Sequence, residues 1–132
     1  MGTISISTSE SIQIVDISSK VQSIVSRSGM KEGLCVIQST HTTAGITVNE
    51  NADPDVKKDM LKGLSVFDSD DYDHSEGNSA AHIKASLVGP SVSIIVEKGE
   101  LQLGTWQGIM FCEFDGPRDR KIIVKVIGNG NM

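Results

Sequence analysis

Three histidines, His41, His74 and His82, are all the imidazoles of this 132-residue chain, and they sit in its central segment. Three imidazoles suit zinc or another borderline divalent metal, with a coordination position left for water or substrate, and the cofactor expected is a divalent metal, zinc or magnesium. The spacing matches no standard metal motif, so three unrelated polar or capping histidines is the competing reading. Two features favour convergence. His41 heads Thr42-Thr43-Ala44-Gly45, which breaks the strand pattern around it, and His74 and His82 bracket Glu76-Gly77-Asn78, a turn able to fold them together. Asn78 would open a helix whose free N–H groups favour a bound anion.

Carboxylates and guanidiniums follow. Glu50 lies between two asparagines with no apolar neighbour to explain it, and reads as a general base, a metal ligand or a solvated side chain. Asp53 precedes Pro54 and has a structural role as a helix N-cap. Gly104-Thr105-Trp106-Gln107 and Glu113-Phe114-Asp115-Gly116-Pro117-Arg118-Asp119-Arg120 form a further group. Trp106 packs in a core or interface, or stacks on a planar ring with Gln107 beside it. Arg118 and Arg120 share parity on an extended segment, which points to a phosphate or carboxylate clamp; exposed solubilising charge is the alternative.

The elements that must position these residues are α+β. Ile4 and Ile6, then Ile12 and Ile14, alternate with polar residues and predict two strands joined as a hairpin. Asp16 caps a helix with Ile17, Val21, Ile24 and Val25 on one face and Gly29 at its end. Leu34 to Thr40 and Ile46 to Val48 read as strands, Asn49 to Ala52 as loop. A second helix starts at Asp53-Pro54 and carries Val56, Met60, Leu61, Leu64 and Phe67. The acidic stretch 68–77 is loop. A third helix runs from Asn78 to Gly89-Pro90. Val92 to Val96, Leu101 to Leu103, Ile109 to Phe114 and Lys121 to Ile127 are the remaining strands. Strands at the ends and helices in the middle favour α+β over alternating α/β, and the last connections are too short for parallel crossovers.

Length fits a single domain, residues 1–132, with one core. A net charge of -5 with scattered basic residues argues against nucleic acid as a partner. No apolar run approaches a membrane span and no signal-peptide pattern opens the chain, so a cytoplasmic location is expected. Cys35 and Cys112 each sit in an apolar run and read as reduced core thiols, with a disulfide or reactive thiol as the alternatives. Glycine-rich phosphate loops, dinucleotide fingerprints, nucleophile elbows and CxxC pairs are absent.

His41-Thr42-Thr43-Ala44, Asn49-Glu50-Asn51-Ala52-Asp53-Pro54, His74-Ser75-Glu76-Gly77-Asn78, Ala81-His82, Leu103-Gly104-Thr105-Trp106-Gln107 and Glu113-Phe114-Asp115-Gly116-Pro117-Arg118 occur in this order. Together they resemble the YjbQ-like family, often labelled secondary thiamine-phosphate synthase, over nearly the whole chain. The resemblance implies a β-sandwich-like α+β fold and a homotrimer with sites near subunit boundaries. It implies His41, His74 and His82 as candidate metal ligands and Glu50, Glu113 and Arg118 as polar site residues, with Arg120 less firmly placed. It also implies a reaction joining an aminopyrimidine diphosphate to a thiazole phosphate with release of pyrophosphate. In that reading Arg118 and Arg120 bind phosphate and Trp106 stacks the ring. A metal-dependent hydrolase or lyase on another small anion, and a non-catalytic metabolite-binding trimer, are the alternatives.

Overall fold

The computed structural model describes residues 2–128, and every statement of structure below concerns them. The chain runs β1 (Gly2–Ser7), β2 (Gln13–Asp16), α1 (Ser18–Ser28), β3 (Glu32–Ser39), β4 (Ala44–Glu50), α2 (Pro54–Leu64), α3 (Ser79–Val88), β5 (Ser91–Glu97), β6 (Glu100–Leu101), β7 (Gln107–Glu113) and β8 (Asp119–Gly128). A short 3-10 turn, Ser65–Phe67, extends α2. The α+β class and the antiparallel sheets agree with the sequence reading. A five-stranded sheet has the order β1-β8-β3-β5-β6 and a three-stranded sheet the order β2-β7-β4, all antiparallel.

The expected β1–β2 hairpin does not form. β1 pairs with β8, Ile4 opposite Ile122, while β2 pairs with β7, Ile14 opposite Cys112. The segment between them crosses from one sheet to the other, so each strand finds its partner more than a hundred residues away in sequence or nearly so. The isoleucine alternation was a sound strand signal, but alternation says which face a residue takes, not which strand it meets. β4 also runs further than expected at both ends and takes in Ala44, Gly45, Asn49 and Glu50.

Alternation builds the core. Ile4, Ile6, Cys35, Ile37, Ile94, Val96, Ile122 and Val124 of the larger sheet face Ala44, Ile46, Ile109 and Phe111 of the smaller, and Ile17, Val21 and Val25 from α1 and its entry join the same cluster. Asp16 Oδ1 accepts from the Ser18 N–H (3.0 Å) and hydroxyl (2.7 Å), which starts α1 one residue later than a simple N-cap would. The opposite face of the smaller sheet holds a second cluster, where Ala81 and Ala85 of α3 pack on Cys112 and Phe114. Asp53 caps α2 as expected, accepting from the Asp55 N–H at 2.9 Å. No residue of α2 is fully buried; Leu61 and Leu64 pack at the margin of the second cluster. No helix is long and apolar enough to cross a membrane among the described residues.

Candidate functional site

One end of the sandwich carries most of the chemistry. Four chain segments meet there: the β3–β4 connection with His41 and Thr43; the loop before α3 with His74, Glu76 and Asn78; α3 with His82; and the β7–β8 turn with Asp115 and Arg118, leading to Arg120. They line a cleft of about 410 Å³. The turn that swings His74 back toward α3 depends on Gly77, at φ 75°, whose N–H donates to the His74 carbonyl at 3.2 Å. Such a conformation strains any residue with a Cβ.

Glu113 lies buried behind Arg120 and does not itself line the cleft. Its side chain has no exposure, and it accepts from Arg120 Nε (2.8 Å) and Nη2, from Thr8 Oγ1 (2.8 Å) and from the Asp115 N–H (3.1 Å). Burial alone would push its carboxyl up; the Arg120, Thr8 and Asp115 hydrogen bonds outweigh that and hold it below the usual carboxylate range. With its lone pairs filled, Glu113 orients Arg120 and is badly placed to take a proton from substrate. Arg120 Nη2 also donates to Thr43 Oγ1 at 2.9 Å.

Arg118 is half exposed. Its Nε and Nη2 donate to the Asp115 carbonyl (2.8 Å) and Oδ2 (2.9 Å). The two arginines therefore do not form the free clamp that their parity predicts, because each is already paired with a carboxylate. Both still line the cleft, and their Nη1 groups make no hydrogen bond among the described residues, which leaves them as donors for a ligand. Asn78 does not cap α3 with its side chain; its Nδ2 donates to Asp115 Oδ2 at 3.0 Å, and its buried Oδ1 has no partner.

The imidazoles share the cleft but do not converge on a point. His74 and His82 meet edge to face, ring centroids 5.5 Å apart, with Glu76 Oε1 at 3.9 Å from His74 Nε2. His41 Nε2 accepts the Lys121 N–H at 2.9 Å, so that nitrogen is spent inside the fold. Burial, and next the Arg120 charge, lower its pKa and favour the neutral ring. Among the described residues no group of three His, Cys, Asp or Glu side chains stands close enough to hold a metal ion. His41, His74 and His82, the ligands expected for zinc or magnesium, thus line one cleft without a shared point.

Glu50, Trp106 and Gln107 are elsewhere. Glu50 pairs with Gln107 at the far end of β4 and β7. Six residues of extended chain separate Ala44 from Glu50, about 20 Å. Trp106 is 64% exposed there, its carbonyl accepting the Asn51 N–H at 2.7 Å, while Gln107 Oε1 accepts the Gly104 N–H at 2.7 Å. Asn51 in turn donates to Asp16 Oδ2 at 2.8 Å. Thr8 escapes a sequence reading, since nothing in a lone threonine signals a partner a hundred residues away; Thr43 stands in a flagged motif with no role of its own to read there. Asp115 was within a flagged motif but read only as a turn residue.

The model of the family described as UPF0047 protein YjbQ-like matches residues 2–129. The UPF0047 protein YugU of Bacillus subtilis is 50% identical over 129 residues, covering 96% of this chain and 98% of its own. A UPF0047 protein of Methanocaldococcus jannaschii is 52% identical over 126 residues, covering 94% and 91%. Among solved structures, an uncharacterized YjbQ/UPF0047 protein of Clostridium acetobutylicum superposes with a TM-score of 0.94 at 56% identity, covering 96% of this chain and 100% of that one. A protein of unknown function from Sulfolobus solfataricus gives 0.91 at 34% identity, covering 97% and 96%. With its family model, its relatives and its fold in agreement from end to end, the chain belongs to the YjbQ-like UPF0047 family.

Proposed function

We propose that the cleft binds a small phosphorylated metabolite, and that the chain acts on it as a weak transferase of the thiamine-phosphate-synthase type. The observation that carries the reading is the meeting, in one cleft, of Arg118, Arg120, Asn78 and the imidazoles of His74 and His82 from separate chain segments. Arg118 is the anion's first partner: it is half exposed, preoriented by Asp115 and keeps donors to spare. Arg120, rigid on Glu113 and Thr43, supplies fixed positive charge behind it. In the transfer itself a bond from the pyrimidine methylene to the diphosphate breaks, the thiazole nitrogen takes that carbon, and pyrophosphate leaves. Arg118 would neutralise the departing charge, the part of the reaction for which this site is best equipped.

The assembly belongs to the same reading. A homotrimer would cover the exposed Trp106 end and set the cleft near a subunit boundary, Glu50 and Gln107 included.

Titration calorimetry with inorganic pyrophosphate tests the binding reading. Arg118→Ala should weaken the affinity roughly 10- to 100-fold, the worth of a hydrogen bond to a charged group. Equal affinity in wild type and variant would remove the cleft from consideration. Activity is checked separately, by thiamine phosphate formed from the aminopyrimidine diphosphate and thiazole phosphate. Binding without product favours the non-catalytic metabolite-binding reading.

A further inference from the structure

The imidazole pair has two sides. On one lies the polar cleft. On the other, His74 and His82 form one wall of a shallower groove of about 500 Å³ completed by Tyr72, Asp73, Ser79 and Ile83. Sequence alone does not reveal this groove, because Tyr72 stands inside an acidic stretch with no periodicity. Its ring is not loose: the hydroxyl donates to the Phe67 carbonyl, which fixes the phenol while leaving it partly open to solvent. The loop is tied down at its start, where Asp68 Oδ1 accepts from the buried Lys84 Nζ at 2.8 Å.

We infer that this groove takes a planar, largely apolar ring belonging to the same molecule whose anionic group enters the cleft, and that Tyr72 is the residue that stacks on it. The inference rests on the anion-binding reading above and adds to it the place of the ring, in the groove against Tyr72. Three observations lead here. The groove and the cleft share His74 and His82 in their linings and so lie side by side, close enough for one ligand to reach over the imidazole pair into both. Its walls include a phenol, two imidazoles and an isoleucine, surfaces that favour a flat apolar body over a charged one. Within one chain the other large aromatic offered for ring stacking, Trp106, lies about 20 Å along the sheet from the cleft.

The test compares inorganic phosphate with phenyl phosphate by titration calorimetry on the full chain. Wild type should bind phenyl phosphate about tenfold more tightly than phosphate, the gain expected from one aromatic stack. Tyr72→Ala should erase that preference and leave phosphate affinity as it was, whereas Tyr72→Phe, which keeps the ring and loses the Phe67 hydrogen bond, should retain it. A preference unchanged in Tyr72→Ala, or none in wild type while phosphate still binds, overturns the groove and leaves the anion reading standing. A preference lost in Trp106→Ala and kept in Tyr72→Ala instead places the stacking across a subunit boundary and overturns the assignment to Tyr72. Failure of both probes to bind overturns the anion reading and this inference with it.

Discussion

Glu113 and Arg120 are buried side chains of opposite charge, and their energetics follow from what surrounds them. Removing one partner strands the other in the core, so Glu113→Gln and Arg120→Met should each cost about 3–5 kcal/mol. The double replacement Glu113→Leu with Arg120→Met should cost clearly less than the sum, which urea unfolding of the three variants measures. The pH dependence has a definite sign. The Glu113 carboxyl is lowered from 4.5, so its contribution is present above that value and is lost as pH falls through the folded one. The His41 ring is lowered from 6.5, so the fold prefers it neutral, and that preference is lost as acidification proceeds below 6.5. Stability should decline in two stages on the acid side. His41→Asn should flatten the first and Glu113→Gln the second, read as urea midpoints between pH 7 and pH 3.

At the scale of elements, helices were legible because their signals are local. Asp53-Pro54, Gly29 and the 3.6-residue spacing of Ile17, Val21, Ile24 and Val25 need no distant partner to be understood. Strand positions were legible for the same reason, and strand partners were not. β1 and β2 sit five residues apart in the chain yet belong to different sheets. The cleft was half legible: His41, His74, His82, Asn78, Arg118 and Arg120 come together, while Glu50, Trp106 and Gln107 are carried away by the antiparallel run of β4 against β7. One tight turn and one ion pair hold the cleft in shape. A Cβ on Gly116 would lie 2.4 Å from the Glu10 carbonyl oxygen and 2.9 Å from Glu113 Cγ, so backbone must move to admit it. Lys84 is almost fully buried and holds Asp68 at the root of the acidic loop. Asp68→Asn leaves that ammonium poorly paired and should loosen residues 68–77 by about 1–3 kcal/mol, visible as faster amide exchange confined to the loop.

For the whole molecule, the unburied apolar groups matter. Leu34 lies between Ile95 and Ile127 across three neighbouring strands, and all three are exposed, as is Trp106 at the end of the smaller sheet. Such a row is a reason for copies to associate. Sedimentation should show a species of three chain masses, and Leu34→Lys or Trp106→Ala should lower that mass according to which surface the copies share. A wild-type chain that sediments as a single copy would remove the trimer.

The two cysteines belong to different cores. Cys35 sits between the sheets and Cys112 beneath α3, both shut from solvent, their thiols pushed up by burial to about 11 and about 12. The thiolate is the form that attacks a maleimide, so neither sulfur reacts until its own layer opens. The pair is therefore a two-channel clock. Cys112 labelled ahead of Cys35 means that the helical layer lifts off an intact sandwich; labelling at one shared rate means that the layers come apart together. A metabolite seated beside α3 would slow the first channel alone, giving an occupancy readout that requires no knowledge of the reaction.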